Sequence, residues 1–166
     1  MADKTLDDLF YETLKDIYYA ERKILKTLPK MARAAQSEKL KAAFQQHKDE
    51  TEGQIERLQQ VFEIIGKRPR AKTCAAIDGI VEEGEEIMEE FKGSPAHDAG
   101  LLASAQAVEH YEISRYGTLR AWAKQLGYAE AVKLLDATLA EESKTDDALT
   151  KLAETAVNSA AQKKAA

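Results

Sequence analysis

The sequence predicts an all-α protein, and three observations carry that prediction. Ala, Leu, Glu and Lys abound while glycine (8) and proline (3) are scarce among 166 residues, so helix formers dominate and strands have little to work with. Apolar residues return at alternating intervals of three and four along four long stretches, which is the spacing of one helix face. Breaker signals at Gln36-Ser37, in "GKRPRAK" from Gly66, in "KGSPAHDAG" from Lys92 and at Gly127-Tyr128 cut the chain into five pieces.

The first helix is expected over about Thr5 to Ala35 and the second over Ser37 to Ile65. A shorter one follows over Thr73 to Phe91, then long helices over Pro95 to Leu126 and Ala129 to Val157. Pro29 lies inside the first, where a proline kinks a helix or ends its regular part nearby. At 44% apolar content the chain is long enough for one core and too short for two. A single domain is expected over residues 1–158, with 159–166, including "AQKKAA", as a frayed tail.

Composition also excludes functions. The formal net charge of −5 argues against a nucleic-acid partner, because phosphate-backbone binders carry a basic surface. The start "MADKTLDDLF" is acidic and has no apolar run, which predicts neither a secretory signal nor a membrane span and places the protein in the cytoplasm. The single cysteine, Cys74, forbids an internal disulfide and has no Cys or His pair nearby, so it reads as a structural thiol.

Each long helix has an inward seam that is apolar at both ends and polar in the middle. In the first helix Leu6, Phe10, Leu14 and Ile17 lead to Glu21, and Ile24, Leu28 and Met31 follow it. The second has His47, Thr51 and Gln54 between Leu40, Phe44 and Leu58, Val61, with Glu50 at the edge. In the third, Glu109 and Glu112 interrupt a run from Leu102 to Leu126, and in the fourth Glu142 and Asp146 stand between Leu139 and Leu149. Residues equally far from the turn of an antiparallel helix pair lie at one height. Glu112 and Glu142 are each 15 residues from Gly127, while Glu21 is 15 and Glu50 is 14 from Gln36. The interruptions therefore share a level, to within about one 1.5 Å rise.

The connection from Gly66 to Ser94 is too long for a hairpin. Such a crossover lets the second and third long helices run parallel, giving the up-down-down-up, ferritin-like four-helix bundle with an extra short helix in the crossover.

Six acids converging, Glu21, Glu50, Glu109, Glu112, Glu142 and Asp146, would destabilise the interior unless a cation sits among them. No Lys or Arg lies on the middle of any seam. Two divalent ions meet the requirement, with His47 as the nitrogen ligand. Such a ligand set suits Fe or Mn, and Zn also fits. Without the six acids the formal charge moves from −5 to +1, so the rest of the molecule is nearly neutral.

The segments "LKDIYYAERKILKTLPKMA", "HKDETEGQIERLQQVFEIIGKRP", "KTCAAIDGIVEEGEEIM", "EHYEISRYGTLRAWAKQLG" and "LLDATLAEESKTDDAL" resemble, in order and over nearly the whole length, the YciE/YciF family of bacterial stress-associated, ferritin-like metal-binding proteins. The resemblance implies a homodimer of rubrerythrin-like architecture with a di-metal centre. In that pattern Glu21 matches the first-helix ligand, Glu50 the second, Glu109 and Glu112 the third, and Glu142 the fourth. Two positions depart from it. Gly53 stands where a histidine would follow Glu50, leaving His47 as the only histidine on that helix, and Asp146 fills the histidine position of the last helix. The centre is thus harder and richer in oxygen, which leaves the metal open.

Other residues have plainer readings. Tyr18 and Tyr116 are expected in the core with bonded hydroxyls, His110 on the surface, and "EEGEEIMEE" from Glu82 as a solvated acidic face. The function so predicted is metal handling or an O2- or peroxide-linked redox role under stress, with the electron donor unnamed. Its rivals are iron storage in a cage and a metal-free structural or partner-binding bundle.

Overall fold

The computed structural model describes residues 3–163. Among them all regular structure is helical: α1 (Leu6–Ala34), α2 (Glu38–Ile64), α3 (Ala75–Glu90), α4 (His97–Gln125), α5 (Ala129–Leu152), a π-helical turn (Ala153–Val157) and α6 (Asn158–Ala161). No described helix is long and apolar enough to cross a membrane. Of the expected tail, residues 164–166 lie outside the described part.

Local chemistry sets the ends. Thr5 and Asp8 form a capping box at the start of α1, the Thr5 N–H donating to Asp8 Oδ2 (2.8 Å) and the Asp8 N–H to Thr5 Oγ1 (3.4 Å). Ser37 Oγ caps α2 by accepting from the Leu40 N–H. Gly127, at φ 79°, supplies the left-handed turn between α4 and α5, where the Tyr128 N–H reaches back to the Ala123 carbonyl (2.9 Å).

α1 runs through Pro29 to Ala34, next to the expected end at Ala35, with Leu28 and Met31 buried on either side of the proline. Burial of two large side chains, about 1.5–3 kcal/mol each, holds the turn despite the missing donor. The last long helix leaves α geometry at Leu152 and opens into a π-helical turn up to Val157.

α1 packs on α2, α2 on α5, α5 on α4, and α4 on α1, closing a ring of four helices. α3 lies outside it, against α1 and α4. At Gly100 of α4 an added Cβ would stand 2.4 Å from Ile87 Cγ2 of α3, so only glycine permits this approach. The α1–α2 link is fastened to the first turn of α4 by Asp98, whose carboxylate accepts the N–H groups of Gln36 (2.8 Å) and Ser37 (2.7 Å). Leu14, Ile17, Leu40, Phe44, Leu58, Leu119 and Leu135 are fully buried, and aromatic edges add to this core, Tyr18 meeting Phe62 at 5.5 Å between ring centroids.

Candidate metal centre

The polar middle of the seams converges inside the ring. Glu109 and Glu112 lie one turn apart on the inner face of α4 and are each 0% exposed, as are Glu142 of α5 and Glu21 of α1, while His47 of α2 is 2% exposed. Ligand atoms of His47, Glu109, Glu112 and Glu142 all lie within 4.8 Å of one another. Metal–ligand bonds of about 2.1 Å put opposed ligands about 4.2 Å apart, so this quartet is of the size that one ion spans.

Glu21 adjoins the quartet. Its Oε1 accepts the Tyr116 hydroxyl at 2.5 Å, while its Oε2 is buried without a partner. Glu50 and Asp146, by contrast, are only half-buried and are engaged elsewhere. Glu50 accepts from Gln46 Nε2 and Thr145 Oγ1, both at 2.9 Å. Asp146 accepts from Gln106 Nε2 (3.2 Å) and meets His110 Nε2 at 3.0 Å. Their oxygens therefore have partners, whereas those of the quartet have none.

That contrast defines the site. Both oxygens of Glu109, Glu112 and Glu142, both nitrogens of His47 and Oε2 of Glu21 are buried without a directed hydrogen-bond partner. His47 Nε2 and Glu109 Oε1 are 2.8 Å apart, yet neither is aligned to bond the other. Atoms that crowd together without pairing are oriented as ligands are, toward a common point. Leaving this many polar atoms buried and orphaned costs about 1–3 kcal/mol per group.

The electrostatics agree. Burial, then the charge of Glu142, raises Glu21 to about 8 although the bond from the Tyr116 hydroxyl lowers it. Burial chiefly, with neighbouring acids adding to it, pushes Glu109 and Glu112 far above the carboxylate range. Burial lowers His47, giving the neutral imidazole that metals coordinate. Without a cation these acids hold protons, and a divalent ion is the natural replacement.

Tyr18 and Tyr116 are buried with bonded hydroxyls, Tyr18 accepting from Gln59 Nε2 at 3.3 Å. The His110 side chain is 68% exposed. Cys74 is buried and bonded to the Tyr111 hydroxyl at 3.0 Å. Sequence reasoning missed the polar girdle beside the centre. Arg57 clamps Glu141 through two bonds (2.6 and 2.8 Å) and reaches Thr138 Oγ1 (3.2 Å), and Gln54 also donates to Glu141. Arg57 follows Gln54 by three residues on the inward side of α2, the one signal that could have revealed it.

Fold and site together define an all-helical bundle protein with a buried histidine–carboxylate cluster. The chain belongs to the DUF892 family, described as a domain of unknown function, whose pattern matches residues 5–162. It is 47% identical over 166 residues to Protein YciF of Escherichia coli strain K12, spanning 99% of this chain and 100% of that protein, so the resemblance to the YciE/YciF family is a family membership. The crystal structure of the E. coli stress protein YciF superposes with a TM-score of 0.89 at 47% identity, covering 94% of this chain and 99% of that one. YcfI from Rhodopseudomonas palustris, described as a candidate structural protein, gives 0.86 at 46% identity over 89% and 94%. A Xanthomonas campestris protein at 22% identity shares the fold, with a TM-score of 0.72 over 93% and 94%.

Proposed function

We propose that this protein is a cytoplasmic, homodimeric, ferritin-like metal protein. His47, Glu109, Glu112, Glu142 and Glu21 hold two divalent ions, Fe or Mn in preference to Zn, with Glu50 and Asp146 at the rim of the centre. The carrying observation is the buried, unpaired quartet of His47, Glu109, Glu112 and Glu142, with ligand atoms within 4.8 Å of one another and room for one ion, beside which the unpaired Glu21 Oε2 and the second oxygens of the carboxylates are left to take another. One nitrogen among many carboxylate oxygens is a hard ligand set, which favours Fe and Mn. The ferritin-like reading is supported by the side-chain bonds across α2 and α5. Glu50 meets Thr145 while Arg57 meets Glu141 and Thr138, so residue numbers rise on one helix as they fall on the other. The E. coli relative is called a stress protein, which fits a role in handling metal or in its reaction with O2 or peroxide.

When bound, the ions supply redox and Lewis-acid chemistry. The chain's own part is to coordinate them, to hold Glu21 through the Tyr116 hydroxyl, and to exclude water with the apolar layers on either side. Anaerobic titration with Fe(II), followed by metal analysis of the desalted protein, tests the reading: stoichiometric retention supports it. The description of YcfI as a candidate structural protein favours a second reading, a metal-free bundle. Absence of retained metal selects that reading. Storage in a cage would instead show as a particle far larger than a dimer on sizing.

A further inference from the structure

Two small cavities lie end to end between α1, α3 and α4. The outer one, about 20 Å³, is bounded by Ile80, Gly84 and Met88 of α3 and by Ser104 of α4. The inner one, about 10 Å³, is bounded by Ile24, Leu28 and Ala105 and reaches His47 of the candidate centre. Thr27, Met31, Val81 and Val108 line both, so they are one seam with a shared wall. At the outer rim stands Glu85, exposed and paired with Lys30 across 3.5 Å.

The volumes suit about one water each, but a buried water also needs two to four polar partners. The surface turned toward the two cavities is almost wholly apolar, and the unpaired nitrogens of His47 contribute next to nothing to it. The Thr27 hydroxyl donates to the Lys23 carbonyl of its own helix (2.9 Å) and the Ser104 hydroxyl to the Gly100 carbonyl (3.0 Å). The rest of the shared wall is Met and Val. A dry cavity of this kind favours small uncharged molecules over water.

We propose that this seam is an apolar gas passage that carries O2, and other small uncharged diatomics, from the α3 side of the protein to His47. Its destination rests on the metal-centre reading given above. Its selectivity is independent of that reading, because it follows from the lining alone. Hydrogen peroxide, which needs hydrogen-bonding partners, is excluded from the passage and reaches the centre by another route.

Xenon is the direct probe, since it occupies dry apolar cavities without any metal. Crystals of the full-length protein pressurised with xenon are expected to show the gas against Val81, Val108 and Met31. Ordered water there, or no xenon, overturns the proposal. Val108→Phe fills the shared wall; Gly84→Ala is the milder block, since its methyl would stand 3.4 Å from Ser104 Cβ, an ordinary contact. Both variants are expected to lose xenon occupancy and still take up Fe(II). They are expected to be oxidised more slowly by O2, where two ferrous ions pass one electron each to O2, which leaves with two protons as hydrogen peroxide. Anaerobic oxidation by added hydrogen peroxide should keep its wild-type rate. Unchanged O2 rates, or equal slowing with both oxidants, overturn the proposal. Wild-type protein that holds xenon but retains no Fe(II) overturns the metal reading and the destination of the passage, and leaves the gas site standing.

Discussion

The Tyr116 hydroxyl donates to Glu21 Oε1 at 2.5 Å, linking α4 to α1 in the fully buried layer where the candidate ligands meet. It is the only side-chain hydrogen bond that Glu21 receives among the described residues. Tyr116→Phe removes that donor and leaves a second Glu21 oxygen unpaired. The variant is expected to lose about 1–3 kcal/mol of stability, read as a lower urea midpoint, and to bind metal more weakly because Glu21 is no longer held.

The pH dependence of the metal-free protein has a definite sign. Glu21 is raised from 4.5 to about 8, so the folded protein keeps a proton that the unfolded chain releases. The associated stability is complete below about pH 4.5 and is lost as pH rises through about 8. Glu109 and Glu112, shifted in the same direction, extend the loss upward. Urea midpoints measured across this range should fall with pH without metal. Added Mn(II) should reverse the trend, because coordination displaces the protons and strengthens as they become easier to remove.

Neutralising two of the acids separates stability from binding. In Glu109→Gln with Glu112→Gln, the amide groups offer donors to the remaining carboxylates, so the metal-free double variant should melt at a higher temperature than wild type near neutral pH. Wild type at a metal concentration of 100 times Kd should gain about 2.7 kcal/mol from binding. The double variant should gain nothing, and thermal melts with and without Mn(II) check both statements.

Outside the centre, Asp98 carries the cap of the α1–α2 link through two charge-assisted bonds at 2.7 and 2.8 Å. Asp98→Ala should cost about 1–2 kcal/mol. Hydrogen exchange should show the loss first at Gln36 and Ser37, with metal uptake retained.

The helices were legible because their signals are local: capping at Thr5 and Ser37, the glycine at position 127, and seams of period 3.6. The buried layer was legible because Glu21, Glu109, Glu112 and Glu142 interrupt those seams at one height, so a count from the turns brings them together. Glu50 and Asp146 share that height but face partners at the edges of their helices, and a difference of about 100° around a helix is lost in a pattern of spacing. The Arg57–Glu141 clamp and the Asp98 cap join residues 84 and 61–62 positions apart. Nothing local marks such pairs, and only the packed ring reveals them.

Equilibrium titration of the metal-free protein with Fe(II) under anaerobic conditions, with bound metal counted after desalting, reaches the central claim most directly. Two ions retained per chain, dropping when Glu109 and Glu112 are replaced by glutamine, is the predicted result. No ion retained by wild type, or the same retention after those replacements, would contradict it.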